Sequence, residues 1–202
     1  MKFHLLQSFL ITAFFTLNIN SQINSSLANP STITRLELND NTIDISKIDF
    51  SKFVNLEYLS LKDDHLKELP KELFLLKKLK TLDLSGNDLK VLPKEFSQLK
   101  NLEALYLNDE NNMDLPASLD VLAKLPKLKS LYLENDKIRF IPNEIFKLKE
   151  LEYLSLSKNE LKEIPKNMNS LSHLKSLNIK DNNLTPDNME PRNLNFGFKI
   201  NF

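Results

Sequence analysis

The 202-residue chain has no cysteine, no tryptophan and only two glycines, Gly86 and Gly197. Without cysteine there are no disulfides, thiolate metal sites, cysteine nucleophiles or lipidated cysteine of a bacterial lipoprotein. Two isolated glycines cannot build a phosphate-cradling loop. Charge of one sign is missing as well: 27 Lys and Arg balance 27 Asp and Glu. Nucleic acid normally selects a basic face, so no nucleic-acid partner is expected. The three histidines, His4, His65 and His173, lie far apart. Neither a metal motif nor a Ser–His–Asp set can be assembled around them, so no enzyme activity, metal or cofactor is expected. The oxygen-rich "NDENNMD" at 108–114 lacks the turn glycine and spacing of a calcium loop and reads as a solvated turn.

What is present begins with "MKFHLLQSFLITAFFTLNIN", a charged start followed by an apolar run. The run is shorter than the roughly 20 residues needed to span a bilayer. It has the length of a signal-peptide core, with cleavage expected after Ala28 or after Ser21. The expected location is therefore exported: secreted, cell-surface or periplasmic.

Seven segments then align on one pattern: "ITRLELNDNTI" (33–43), "LEYLSLKDDHL" (56–66), "LKTLDLSGNDL" (79–89), "LEALYLNDENN" (102–112), "LKSLYLENDKI" (128–138), "LEYLSLSKNEL" (151–161) and "LKSLNIKDNNL" (174–184). Successive starts lie 23 residues apart, except for one gap of 26 between 102 and 128. Within each segment leucines alternate with polar residues, the period of a strand with one buried face. One unit cannot bury its leucines alone, but stacked units bury them in a continuous core. Asparagine side chains just after the strand (Asn41, Asn87, Asn159, Asn182) can satisfy backbone groups where the chain turns inward. Asp64 and Asp136 replace it in two repeats and, when ionised, accept but cannot donate. "LPKEL", "LPKEF" and "IPNEI" follow the motif, with proline expected at the first position of a short helical turn.

The seven copies resemble the leucine-rich repeat, in its 23-residue "LxxLxLxxNxLxxLP" form, and are similar to exported repeat proteins of bacteria, spirochaetes among them. The resemblance covers about residues 33 to 185. It implies an α/β repeat fold: a curved solenoid with a parallel concave sheet, short helical or 3-10 convex segments and capping ends. The division expected is a signal peptide (1–28), an amino-terminal cap with the first repeat (29–55), repeats two to seven (56–184) and a carboxy-terminal cap (185–202). Ile48, Phe50 and Phe53 form the apolar face of the first cap. Leu194, Phe196, Phe198, Ile200 and Phe202 alternate as a terminal strand that lids the array or pairs with another chain.

The resemblance also implies function on the concave face, where the positions between and after the strand leucines point outward. All four tyrosines, Tyr58, Tyr106, Tyr132 and Tyr153, fall there, and so do Ser60, Ser85, Ser155 and Ser157. Tyrosine buries much apolar area at little entropic cost and keeps a polar tip, which suits a binding surface. Outward charges number seven basic and ten acidic, with the acidic excess in the first four repeats. The candidate partner-binding residues are these tyrosines with Glu37, Asp83, Asn108, Asp109, Glu134 and Asn178. The column Glu57, Lys80, Glu103, Lys129, Glu152, Lys175 alternates in sign and suggests lateral ion pairs. The expected function is non-catalytic binding of a protein partner, such as a host surface or matrix protein; a structural envelope role or enzyme inhibition are the alternatives. In the irregular fourth repeat, the three additional residues after Pro116 predict a longer convex turn. Glu110 at the asparagine position and Asn112 at a leucine position predict a poorly satisfied, loosened turn, with Met113 swinging into the core.

Overall fold

A computed structural model of the chain describes residues 29–39, 44–185 and 196–202. The signal-peptide reading, Asn41 and Leu194 lie outside the described residues. Eight three-residue strands form one parallel sheet in sequence order: β1 (Arg35–Glu37), β2 (Tyr58–Ser60), β3 (Thr81–Asp83), β4 (Ala104–Tyr106), β5 (Ser130–Tyr132), β6 (Tyr153–Ser155), β7 (Ser176–Asn178) and β8 (Lys199–Asn201). Register is constant from strand to strand, so equivalent residues form straight columns such as Leu59, Leu82, Leu105 and Leu131. These middle leucines are fully buried, and each such side chain contributes on the order of 2 kcal/mol of hydrophobic stabilisation.

The back of the array is built from 3-10 turns, Lys71–Leu75, Lys94–Gln98, Asn143–Lys147 and Lys166–Ser170. The prolines sit one residue earlier than the sequence predicts. Pro70, Pro93, Pro142 and Pro165 stand just before the turn, not at its first position. Their extended backbone turns the chain before the first 3-10 residue. Phe96, Leu99, Ile145 and Leu148 point into the core as the pattern requires. The three additional residues of the fourth repeat convert its turn into an α-helix, α1 (Leu115–Leu122), whose Asp114 cap accepts the Ala117 N–H at 3.1 Å. Leu119, Leu122 and Leu125 bury its inner side.

At the first end, two 3-10 turns capped by Asp44 and Asp49 carry Ile48, Phe50 and Phe53 into the core. At the other, β8 adds parallel to β7, with Phe196 and Phe198 stacked at 5.6 Å. Phe202 remains about half exposed. No helix among the described residues is long and apolar enough to cross a membrane.

After each strand from β2 to β7 the chain turns through a left-handed residue: Asp63, Gly86, Asp109, Asn135, Lys158 and Asp181 share this column. Gly86, at φ +70°, is the one glycine among them, and a Cβ there would meet Asp63 Oδ1 at 2.0 Å. Gly86→Ala is therefore expected to destabilise by about 1–2 kcal/mol, read as a lower denaturation midpoint. A midpoint unchanged from the parent would mean that Asp63 swings aside without cost.

Candidate functional site

The columns decide which outward residues meet. Tyr106 and Tyr132 are register partners on β4 and β5, and their rings stack at 4.2 Å with 4° between planes. Burial of the Tyr106 phenol, reinforced by Tyr132, pushes its pKa up to about 12, so it remains neutral at physiological pH. Tyr58 lies two strands away on β2. Arg35, its register partner on β1, places its guanidinium 3.5 Å from the Tyr58 ring centroid. The same guanidinium donates to Glu37 Oε1 at 2.5 and 3.0 Å. This cation–π contact was missed from sequence, although a basic residue and a tyrosine at equivalent positions of adjacent repeats carry its signal.

The other candidates divide by what already occupies them. Asp83 stands in the column of Tyr106 and Tyr132, with one oxygen accepting the Ser85 N–H at 3.0 Å. Asn108 accepts the Glu134 N–H at 2.9 Å, and Glu134 accepts the Ser155 hydroxyl at 2.5 Å. Asp109 accepts from the Asn135 side chain, and Asn178 donates to Ser155 at 3.0 Å. Asn108, Glu134 and Asp109 stitch the rim of the sheet together, whereas Asn178 lies on β7 in the column of Tyr106 and Tyr132. Tyr153 stands apart in the Tyr58 column, 45 % exposed. Ser60, Ser85, Ser155 and Ser157, expected on the open face, are covered by their neighbours and at most 5 % exposed, because a short hydroxyl is overtopped by longer side chains in the adjoining repeats. The alternating column does form ion pairs: Glu57 with Lys80 at 2.8 Å, and Glu152 with both Lys129 and Lys175. Each exposed pair contributes little to stability.

The turn at Glu110 is better satisfied than the sequence predicts on its acceptor side, and poorly satisfied, as predicted, on its donor side. Asn159 shows the regular arrangement: its oxygen accepts the N–H groups of Asp136 and Ile138, and its amide donates to the carbonyls of Leu133 and Leu156. Glu110 is buried, and its two oxygens accept the N–H groups of Asn87 and Leu89 at 2.8 and 3.1 Å. The two carboxylate oxygens share the two N–H groups that Asn159 meets with one; the donor half of the asparagine is lost. In the next repeat Asp136 Oδ1 accepts the Glu110 N–H at 2.7 Å, while its buried Oδ2 finds no partner among the described residues. A cavity of about 30 Å³, room for one water, opens between Glu110, Met113, Leu115, Leu133, Asp136 and Ile138. Met113 thus turns inward, as expected, without filling the space. Burial raises the Glu110 carboxyl to about 7 and the Asp136 carboxyl to about 8. No cluster of three or more potential metal ligands forms among the described residues.

The profile of the leucine-rich repeat region matches residues 20–122, and a second leucine-rich repeat profile matches residues 126–185. No curated protein sequence matches the chain. Solved structures do. Internalin C2 of Listeria monocytogenes superposes with a TM-score of 0.65 at 25 % identity, over 86 % of this chain and 82 % of that one. A second Listeria internalin, InlF, gives 0.57 at 22 %, covering 82 % of this chain. A chain of the Toll–Spatzle complex of Drosophila gives 0.61 at 25 %, covering 86 % of this chain. The present chain spans about half of that second internalin (53 %) and under a quarter of the Drosophila chain (23 %). With repeat spacing, parallel sheet and asparagine ladder in agreement with these matches, the chain belongs to the leucine-rich repeat family.

Proposed function

We propose that the chain is an exported, non-catalytic binding module that grips a protein partner on its concave sheet face, with the Tyr106–Tyr132 stack as the anchor. Leucine-rich repeat domains generally mediate protein–protein interaction, and an open sheet face carrying aromatic side chains suits that role. The observation that carries the reading is the stacked pair itself. Two large, half-buried rings stand ordered on an open face before any partner arrives. Pre-ordered aromatic anchors lose little side-chain entropy on binding. The face is large enough: eight strands span about 34 Å across the sheet, compatible with a standard contact of roughly 800 Å² per side. Tyr58, Asp83 and Glu37 extend the surface toward the first end; Asn108, Asp109, Glu134, Tyr153 and Asn178 extend it along the rim and toward the last repeats.

Export, with residues 1–28 as the signal and 29–55 and 185–202 as the capping ends, belongs to this proposal. It is supported by the apolar amino-terminal run. Protease treatment of intact producing cells and amino-terminal sequencing of the released chain check it.

Binding is tested by screening the chain against an array of individually displayed extracellular proteins, then repeating each hit with Tyr106→Ala/Tyr132→Ala. The double variant is expected to weaken the specific hit at least 30-fold, about 2 kcal/mol, without lowering the melting temperature by more than a few degrees. A hit with unaltered affinity would place the contact elsewhere.

A further inference from the structure

Tyr58 has two faces, and the chain itself shows what one of them holds. On the β1 side, Arg35 lies over the ring and pairs with Glu37, two residues further along the same strand. On the β3 side, the register places Thr81 opposite Tyr58 and Asp83 opposite Ser60. Asp83 is therefore the equivalent of Glu37, and Thr81 the equivalent of Arg35. The carboxylate and the aromatic face recur, but the side chain between them is short. Asp83 is half-buried and, among the described residues, joins no ion pair; one of its oxygens accepts the Ser85 N–H. By contrast, nearby Lys80 is already paired with Glu57 and nearby Lys62 with Asp63.

The opposite wall of this space is Tyr106. Because its ring stacks on its register partner Tyr132, its other face looks back toward β3. Because Arg35 is the register partner of Tyr58 and lies over its ring, the inner face of Tyr58 looks toward β3 from the other side. The two rings stand two strands apart, about 9.6 Å, and two residues out of line, about 6.6 Å along the strands. Thr81 and Ala104 form a low floor between them.

We propose that this trough receives an arginine side chain of the protein partner, its guanidinium laid over Thr81 against the inner face of Tyr58, paired with Asp83 and flanked by Tyr106. The inference rests on the concave-face binding reading and names the chemistry of its partner: a segment presenting arginine. A planar guanidinium meets both demands of the site, a flat π-contact and a forked hydrogen bond to a carboxylate. A lysine ammonium supplies the charge without the plane. The acidic excess of the first four repeats favours the approach of such a segment.

The test titrates the full chain with acetyl-Gly-Arg-Gly-amide and with its lysine and citrulline counterparts, reading the tyrosine ring signals by NMR. The arginine peptide is expected to shift the Tyr58 and Tyr106 signals saturably, at least fivefold more tightly than citrulline. Asp83→Asn should reduce that difference to nothing. Thr81→Arg fills the trough from within, as Arg35 does on the other side, and should abolish the shifts while the circular dichroism spectrum is retained. Equal shifts from arginine and citrulline, or none from either, overturn the inference. A partner that is lost on Tyr106→Ala/Tyr132→Ala but binds undiminished to Thr81→Arg overturns the arginine site and leaves the binding reading standing. Saturable arginine shifts with no protein partner found would do the reverse.

Discussion

Replacing Asn159 by alanine is expected to destabilise the array by about 3 kcal/mol, lowering the melting temperature by roughly 10 °C. The side chain is 5 % exposed and answers for backbone groups of two repeats. It accepts the N–H groups of Asp136 and Ile138 at 2.9 and 3.0 Å and donates to the carbonyls of Leu133 and Leu156 at 2.7 and 3.0 Å. Water cannot enter freely to take over these partners, so each orphaned group carries much of its desolvation penalty. The damage should also be local: amide exchange at Asp136 and Ile138 should accelerate before that of the outer repeats, since a solenoid transmits stability between neighbours. Asn159→Asp keeps the acceptor and loses the donors, so it should fall between. A loss below 1 kcal/mol for Asn159→Ala would show that the ladder is dispensable.

The second large effect is an inverted pH dependence. Glu110 and Asp136 are carboxyls raised by burial to about 7 and about 8, against ordinary values of 4.5 and 3.8. The folded state therefore holds protons that the unfolded chain releases. Stability from these groups is fully present below about pH 4 and is lost as pH rises through 7 and 8. Asp88, Asp109 and Glu134 are the further acids around the pair and push in the same direction. The geometry gives the proton a place. Asp136 Oδ2 occupies the amide position of the ladder, where by register the carbonyls of Leu107 and Leu133 lie, and a protonated oxygen can donate as Asn159 does. Asp136→Asn should thus stabilise by about 2 kcal/mol at pH 9, have little effect at pH 5, and flatten the decline between them. Chemical denaturation at three pH values reads this directly. Greater stability at pH 9 than at pH 5 in the parent would contradict it.

The fold was legible because it repeats. Seven copies place each leucine in the same phase, so one ambiguous residue cannot shift the register. The three additional residues became α1 because Leu119 and Leu122 keep the helix packed on the core. The tyrosine column was legible for the same reason: equivalent positions of adjacent repeats are neighbours. What escaped the sequence depends on side-chain length and direction. Glu110 looked like a defect, yet its two carboxylate oxygens take the two N–H groups that a single asparagine oxygen takes at Asn159. The serines looked exposed, yet their neighbours cover them. Arg35 looked like one charge among many until its guanidinium was placed over Tyr58.

The concave face is the proposed binding face. Hydrogen–deuterium exchange of the chain with and without a partner from the binding screen tests this most directly. Protection is predicted at β2 to β5 and the turns that follow them, residues 58–63, 81–86, 104–109 and 130–135. Protection confined to the 3-10 turns and α1 on the opposite side would contradict it.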